Sequence, residues 1–165
     1  MTSIESQIPA KYGADAVEIP GSRALLDDLE KAGAKWAIVT SGTRGLISGW
    51  LDIMKLAHPK YLIAAEDVKN GKPDPEGYQL GYRKLGLADR EDKPSAVVFE
   101  DAPAGVRAGK AAGFEVVALA TTHTVKQLRE AGADWIVRDM RSVSLKSLDS
   151  KTGRALVEIS SALVD

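Results

Sequence analysis

Two adjacent carboxylates, Glu100 and Asp101, stand where the apolar run Val97-Val98-Phe99 meets a proline-opened, small-residue segment, Ala102-Pro103-Ala104-Gly105-Val106. Carboxylates at the carboxyl end of a parallel strand face the crevice where open α/β sheets bind ligands. Their oxygens suit Mg²⁺, which keeps several waters and borrows phosphate oxygens. The chemistry suggested is phosphoryl transfer, although acidic residues ahead of Pro103 serve equally well as helix caps. Two further segments favour the chemical reading. Trp36-Ala37-Ile38-Val39-Thr40-Ser41-Gly42-Thr43 is an apolar strand that ends in hydroxyls and a glycine before a helix starting near Arg44. Hydroxyls and free amides at a helix N-terminus hold anions, so Thr40, Ser41 and Gly42 are phosphate-binding candidates. Lys72, set between Gly71 and Pro73, is a point charge suited to phosphate; a solvated surface lysine is the alternative.

The elements that must position these groups alternate at short spacing, which argues for βαβ units, a parallel sheet and an α/β fold. After Pro20-Gly21, Ser22 is placed to cap a helix with the stripe Leu25, Leu26, Leu29 and Ala32, ending at Gly33. A strand over 36–40 follows, then a helix carrying Leu46, Ile47, Trp50, Leu51 and Met54, in which Trp50 reads as core. A second strand spans 61–65. A helix from Pro75 bears Tyr78, Tyr82 and Leu85 on one face and stops at Gly86; residues 88–94 read as a solvated connection into the Glu100 strand. The helix after Pro103 holds Gly105, Ala108, Gly109, Ala111, Ala112 and Gly113. Each Gly costs about 1 kcal/mol of helix propensity relative to Ala, so close packing must offset it. A strand over 115–120, a helix opened by the capping box Thr124 to Gln127, and a strand over 135–137 complete the series. Beyond Arg141 the pattern fades, with a peripheral strand near 156–159. The segments are a lead over 1–20, a core over 21–149 and a peripheral tail over 150–165.

Composition narrows the function classes. The 165 residues, 44% hydrophobic and 27% charged, suffice for one domain with a real core. A net charge of -1, from 22 basic and 23 acidic residues, gives no field for nucleic acid or an anionic membrane. Without cysteine there is neither a disulfide scaffold nor a thiolate zinc site. No run approaches the roughly 18 apolar residues of a membrane span, and residues 1–7 resemble neither a signal nor a transit peptide; a cytoplasmic location is expected. His58 and His123 have no sequence-adjacent partner for a triad. His123, just past a strand on the ligand side of the sheet, is a weak substrate-contact candidate.

In order, Val39-Thr40-Ser41-Gly42-Thr43-Arg44, Gly71-Lys72-Pro73-Asp74-Pro75-Glu76 and Val98-Phe99-Glu100-Asp101-Ala102-Pro103-Ala104-Gly105 resemble motifs two, three and four of the haloacid dehalogenase (HAD) superfamily. The wording is most similar to the fungal glycerol phosphatase and 2-deoxyglucose-6-phosphate phosphatase branch, from about Ile8 to about Val137. The resemblance implies a three-layer Rossmannoid core and a phosphatase of small polyol or sugar phosphate monoesters. It also implies Thr40, Ser41 and Gly42 on the transferring phosphoryl group, Lys72 neutralising developing charge, and Asp101 with Glu100 holding Mg²⁺.

It implies an absence as well. These enzymes begin with an Asp-x-Asp-Gly-Thr strand that supplies the nucleophile and the general acid–base, and no Asp-x-Asp occurs in this sequence. Asp27 and Asp28 are adjacent rather than alternate, so one strand could not aim both into a site. In the family the helical cap lies between that strand and the Thr40 strand. The expectation is therefore a truncated gene model without cap or first, central strand, inactive as written; a non-catalytic phosphate-binding or regulatory remnant is the alternative. Loss of a central strand would be met by collapse of the Thr40 and Glu100 strands together, by recruitment of Ala16-Val17-Glu18-Ile19, or by association with another chain.

Overall fold

The computed structural model describes residues 4–87 and 96–163, so the expected connection over 88–94 lies outside the described residues. In chain order the elements are α1 (Ile8–Tyr12), α2 (Ser22–Ala32), β1 (Ala37–Val39), α3 (Arg44–Met54), β2 (Tyr61–Ile63), α4 (Glu76–Lys84), β3 (Val97–Glu100), α5 (Pro103–Ala111), β4 (Glu115–Leu119), α6 (Val125–Glu130), β5 (Trp135–Val137), β6 (Val143–Leu148) and β7 (Ala155–Ile159). The fold is α/β with parallel sheets, and its parallel strands fall into two groups. β1 pairs with β2, with Ile38 opposite Leu62, and β3-β4-β5 form a second sheet with Phe99 opposite Val117 and Ala118 opposite Ile136.

Alternation along β4 sorts its residues between two cores, because successive side chains leave a strand on opposite faces. Val116 and Ala118 join Val98, Val106, Ala108, Leu128 and Ile136 beneath α5 and α6. Val117 and Leu119 join Leu25 of α2, Val137, Met140 and Val143 on the other face. Both faces of β4 are therefore covered, which is why it reads as an unbroken apolar run. The small residues of α5 permit its close approach: a Cβ on Gly109 would lie 2.8 Å from Val116 Cγ2. Antiparallel β6 and β7 form a hairpin on the α2 side. β6 escapes sequence reading because Val143-Ser144-Leu145-Lys146 alternates too briefly to stand out from a loop, and the division at 149/150 falls in the turn between β6 and β7.

α4 bridges the two sheets. Gly77 and Gly81 bring it onto β1, where Cβ atoms would lie 3.0 and 3.2 Å from the Val39 methyls, while Tyr78 on the same helix enters the α5 core. Among the described residues, β1 and β3 do not pair, and residues 16–19 form no strand. Val17 is instead 87% exposed, with Glu18 turned to Arg23. Neither collapse nor recruitment has occurred. The cap of α2 also differs from expectation: Gly21, at φ 88°, is the N-cap and Ser22 the first helical residue. Gly21 packs so tightly on the Met140–Arg141 backbone that no side chain fits there.

Among the described residues β1 and β3 each lack a strand partner on one edge, and such edges make associating species accessible. Thermal unfolding is expected to be broad and concentration-dependent, with binding of a hydrophobe-sensitive dye below the midpoint. A sharp, concentration-independent monomeric transition without dye signal would contradict this.

Candidate active site

The two sheet fragments meet chemically at Lys72. Thr40 N donates to Ile63 O at 2.9 Å, so the Thr40 amide faces β2, and the carbonyl of the preceding residue, Val39, turns to the opposite edge. There Lys72 Nζ donates to Val39 O at 3.1 Å, and the same ammonium forms an ion pair with Glu100 Oε1 at the end of β3. Lys72 also sits 4.9 Å above the Tyr78 ring centroid, within range of a cation–π contact.

Glu100 is 9% exposed, and both of its oxygens are occupied. Oε1 accepts from Lys72 and from the Tyr78 hydroxyl at 2.8 Å; Oε2 accepts from Asp101 N at 2.9 Å and Ala102 N at 3.1 Å. Burial pushes this carboxyl upward, but the Lys72 charge and the donated hydrogen bonds prevail and hold it below its ordinary value. Burial, reinforced by the Glu100 charge, raises the Tyr78 hydroxyl far above the usual phenol range, so it stays a donor. Gly105 is required beneath this group because a Cβ there would overlap the Glu100 carboxylate.

Asp101, one residue on, is half-buried. Its Oδ2 accepts from Thr122 Oγ1 at 2.9 Å, and its carbonyl oxygen lies 3.2 Å from Thr122 Oγ1 and 3.0 Å from His123 Nδ1. The parallel register explains the meeting: Glu100 stands opposite Ala118, so the residues just past β4 lie beside those just past β3. Sequence reading flagged His123 but missed Thr122 and the hydroxyl of Tyr78. The available signal was the hydroxyl-rich run Thr121-Thr122-His123-Thr124 after an apolar strand. His58 does find an acid, Asp52 at 3.0 Å, on the exposed surface at the far end of α3.

Thr40 Oγ1 accepts from Gly42 N at 3.0 Å, which folds the hydroxyl loop back on itself, and Gly42 O accepts from Ala65 N at 3.1 Å. The α3 N-terminus is not free as an anion site at its first amide: Arg44 N donates to both Glu66 carboxylate oxygens, at 3.1 and 3.2 Å. Arg44 in turn pairs with Asp67, whose carboxylate also accepts from Ala64 N at 2.8 Å. The turn after β2 thus clamps the loop after β1. Between them opens a cleft of about 220 Å³ lined by Thr40, Ser41, Asn70, Lys72, Asp74 and Tyr78, among others. The structure therefore brings Thr40, Ser41 and Lys72 to one cleft, with Glu100 bonded to Lys72 and Asp101 next to it in the chain.

Two expectations follow. Gly105→Ala should lower stability by roughly 1–3 kcal/mol through overpacking against Glu100, read as a fall in denaturant midpoint at unchanged slope. Because the Glu100 pKa in the folded state is depressed below its ordinary 4.5, the folded chain binds fewer protons there than the unfolded one. Its contribution is full above pH 4.5 and is lost as pH falls through the depressed value. Glu100→Gln should flatten the acid limb of the stability–pH curve; an unchanged limb would contradict the assignment.

Comparison with known proteins places the chain in a family. The family model described as haloacid dehalogenase-like hydrolase matches residues 8–119. The chain is 44% identical over 156 residues to glycerol-1-phosphate phosphohydrolase 1 of Saccharomyces cerevisiae, covering 92% of this chain and 62% of that protein. It is 39% identical over 157 residues to 2-deoxyglucose-6-phosphate phosphatase 1 of the same yeast, covering 87% and 63%. Among solved structures, a hydrolase from Pseudomonas syringae superposes with a TM-score of 0.71 at 28% identity, over 82% of this chain and 62% of that one. The chain thus spans less than two thirds of the length of these relatives. With a family match across most of its length, the Thr40 and Asp101 segments just past parallel strands β1 and β3 and the Lys72 loop between them in sequence, the chain belongs to the haloacid dehalogenase-like hydrolases.

Proposed function

We propose that this chain carries the phosphate-holding portion of a phosphatase acting on small phosphorylated polyols or sugars, and that by itself it binds such monoesters without cleaving them. The observation that carries this reading is the Lys72 ammonium, tied to Val39 O and Glu100, in the same cleft as Thr40 and Ser41. A fixed cation beside hydroxyl donors suits the equatorial oxygens of a phosphoryl group. The substrate class is supported by the relatives, named for glycerol 1-phosphate and 2-deoxyglucose 6-phosphate.

The donors present suit a hard divalent cation in one way only. Among the described residues no three His, Cys, Asp or Glu side chains converge, and Glu100 has no oxygen to spare. Asp101 is then the carboxylate that would hold Mg²⁺, with water and phosphate oxygens completing its shell. A bound Mg²⁺ would neutralise charge on the phosphoryl group. In this division of labour Asp101 binds the metal, and Glu100 positions Lys72. The remaining groups of the chain orient and stabilise but do not attack phosphorus, since these 165 residues contain no Asp-x-Asp. Phosphate monoester hydrolysis needs accelerations of up to about 10²¹, beyond the reach of electrostatic groups without a nucleophile.

Calorimetric titration with glycerol 1-phosphate in the presence of Mg²⁺ tests this. Saturable binding, weakened at least tenfold by Lys72→Met, without release of inorganic phosphate is expected. Turnover by the 165-residue chain, or binding indifferent to Lys72, would contradict it.

A further inference from the structure

Resting on the reading of Asp101 as the metal-binding carboxylate, we infer that Thr122 and His123 are positioning residues that set its orientation. Asp101 lies just beyond the last residue of β3, with no strand ladder of its own to fix it. Three contacts from the loop after β4 do so instead. The Thr122 hydroxyl reaches both Asp101 Oδ2, at 2.9 Å, and the Asp101 carbonyl, at 3.2 Å. His123 Nδ1 lies 3.0 Å from that same carbonyl, which can only accept, and 3.0 Å from Thr122 Oγ1; in the Nδ1–H tautomer the ring donates to the carbonyl and leaves the single Thr122 hydroxyl proton for Asp101 Oδ2. One residue is thus held at both its backbone and its carboxylate by a two-residue clamp.

The clamp is itself anchored at both ends. Ala120 N donates to Val137 O at 2.9 Å, tying the start of the loop to β5. At the other end Thr124 and Gln127 close a capping box on α6, with Gln127 N to Thr124 Oγ1 at 3.3 Å and Thr124 N to Gln127 Oε1 at 3.0 Å. Thr122, by contrast, is solvent-exposed, where water competes for its hydroxyl and the bond to the Asp101 carboxylate adds little to folding. The worth of its hydroxyl is therefore in fixing the Asp101 carboxylate. Hydrogen-bond partners of ligating carboxylates typically govern metal affinity by about 10- to 100-fold.

The test uses the full 165-residue chain and Mn²⁺ in the presence of inorganic phosphate, which supplies the oxygens that complete the shell, with free ion followed by electron paramagnetic resonance against a protein-free phosphate control and each variant's melting temperature measured alongside. Thr122→Val should weaken Mn²⁺ binding about tenfold with little change in melting temperature, and Thr122→Ser, which keeps the hydroxyl, should restore it. His123→Ala should weaken binding similarly, and His123→Asn, whose side-chain amide can donate to the Asp101 carbonyl, should recover part of it. Should Thr122→Val melt below the assay temperature, Thr122→Ala carries the same test. If the parent chain binds Mn²⁺ and Asp101→Asn abolishes this, while the Thr122 and His123 variants match the parent, the clamp is refuted and the metal reading stands. If the parent chain binds no Mn²⁺, or Asp101→Asn binds as well as the parent, the metal reading fails and the inference falls with it.

Discussion

The ion pair between Lys72 and Glu100 is the interaction on which the rest of the arrangement depends. Both side chains are largely withdrawn from water, at 15% and 8% exposure. A pair so placed is stabilising only when the remaining hydrogen-bonding capacity is met, and removing one partner from a buried pair typically costs about 3–5 kcal/mol. Here the capacity is met: Glu100 gains two backbone amides and a tyrosine hydroxyl, and Lys72 gains the Val39 carbonyl and the face of Tyr78. Those partners come from β1, α4 and the β3–α5 junction. The pair therefore joins two sheets that share no strand contact among the described residues, and it places a positive charge in the cleft between them.

Much of the local chemistry follows from that constraint. Tyr78 must be tyrosine for its hydroxyl to reach Glu100 from a helix that otherwise packs on the core, and Gly105 must lack a side chain for Glu100 to occupy its place. The Glu66 and Asp67 turn stabilises the hydroxyl loop from the other side by occupying the Arg44 amide and side chain. An anion in the cleft would thus be held by Lys72 and side-chain hydroxyls rather than by the Arg44 amide at the α3 N-terminus.

The sequence made the elements and the identity of the site segments legible because they are local. An apolar run, a hydroxyl or carboxylate terminus and a helix starter occupy consecutive residues at Thr40 and Glu100, and the capping box at Thr124 appears as read. What stayed hidden depends on register between distant segments. Thr122 reaches Asp101 only because β4 aligns with β3, and Tyr78 reaches Glu100 across 22 residues of separation. The adjacency of Glu100 and Asp101 suggested a shared role, yet one carboxylate is satisfied within the protein while the other faces the Thr122–His123 loop. Composition and periodicity carry no information on that division, because it is decided by which neighbour supplies donors.

The most direct measurement is a double-mutant cycle on Lys72→Met and Glu100→Gln, with stability read by denaturant unfolding. A pair that joins the two sheets should show a coupling of about 1–3 kcal/mol, each single variant costing much more than its cost in the background of the other. Additive losses from the two variants would mean that Lys72 and Glu100 act independently and would contradict the account.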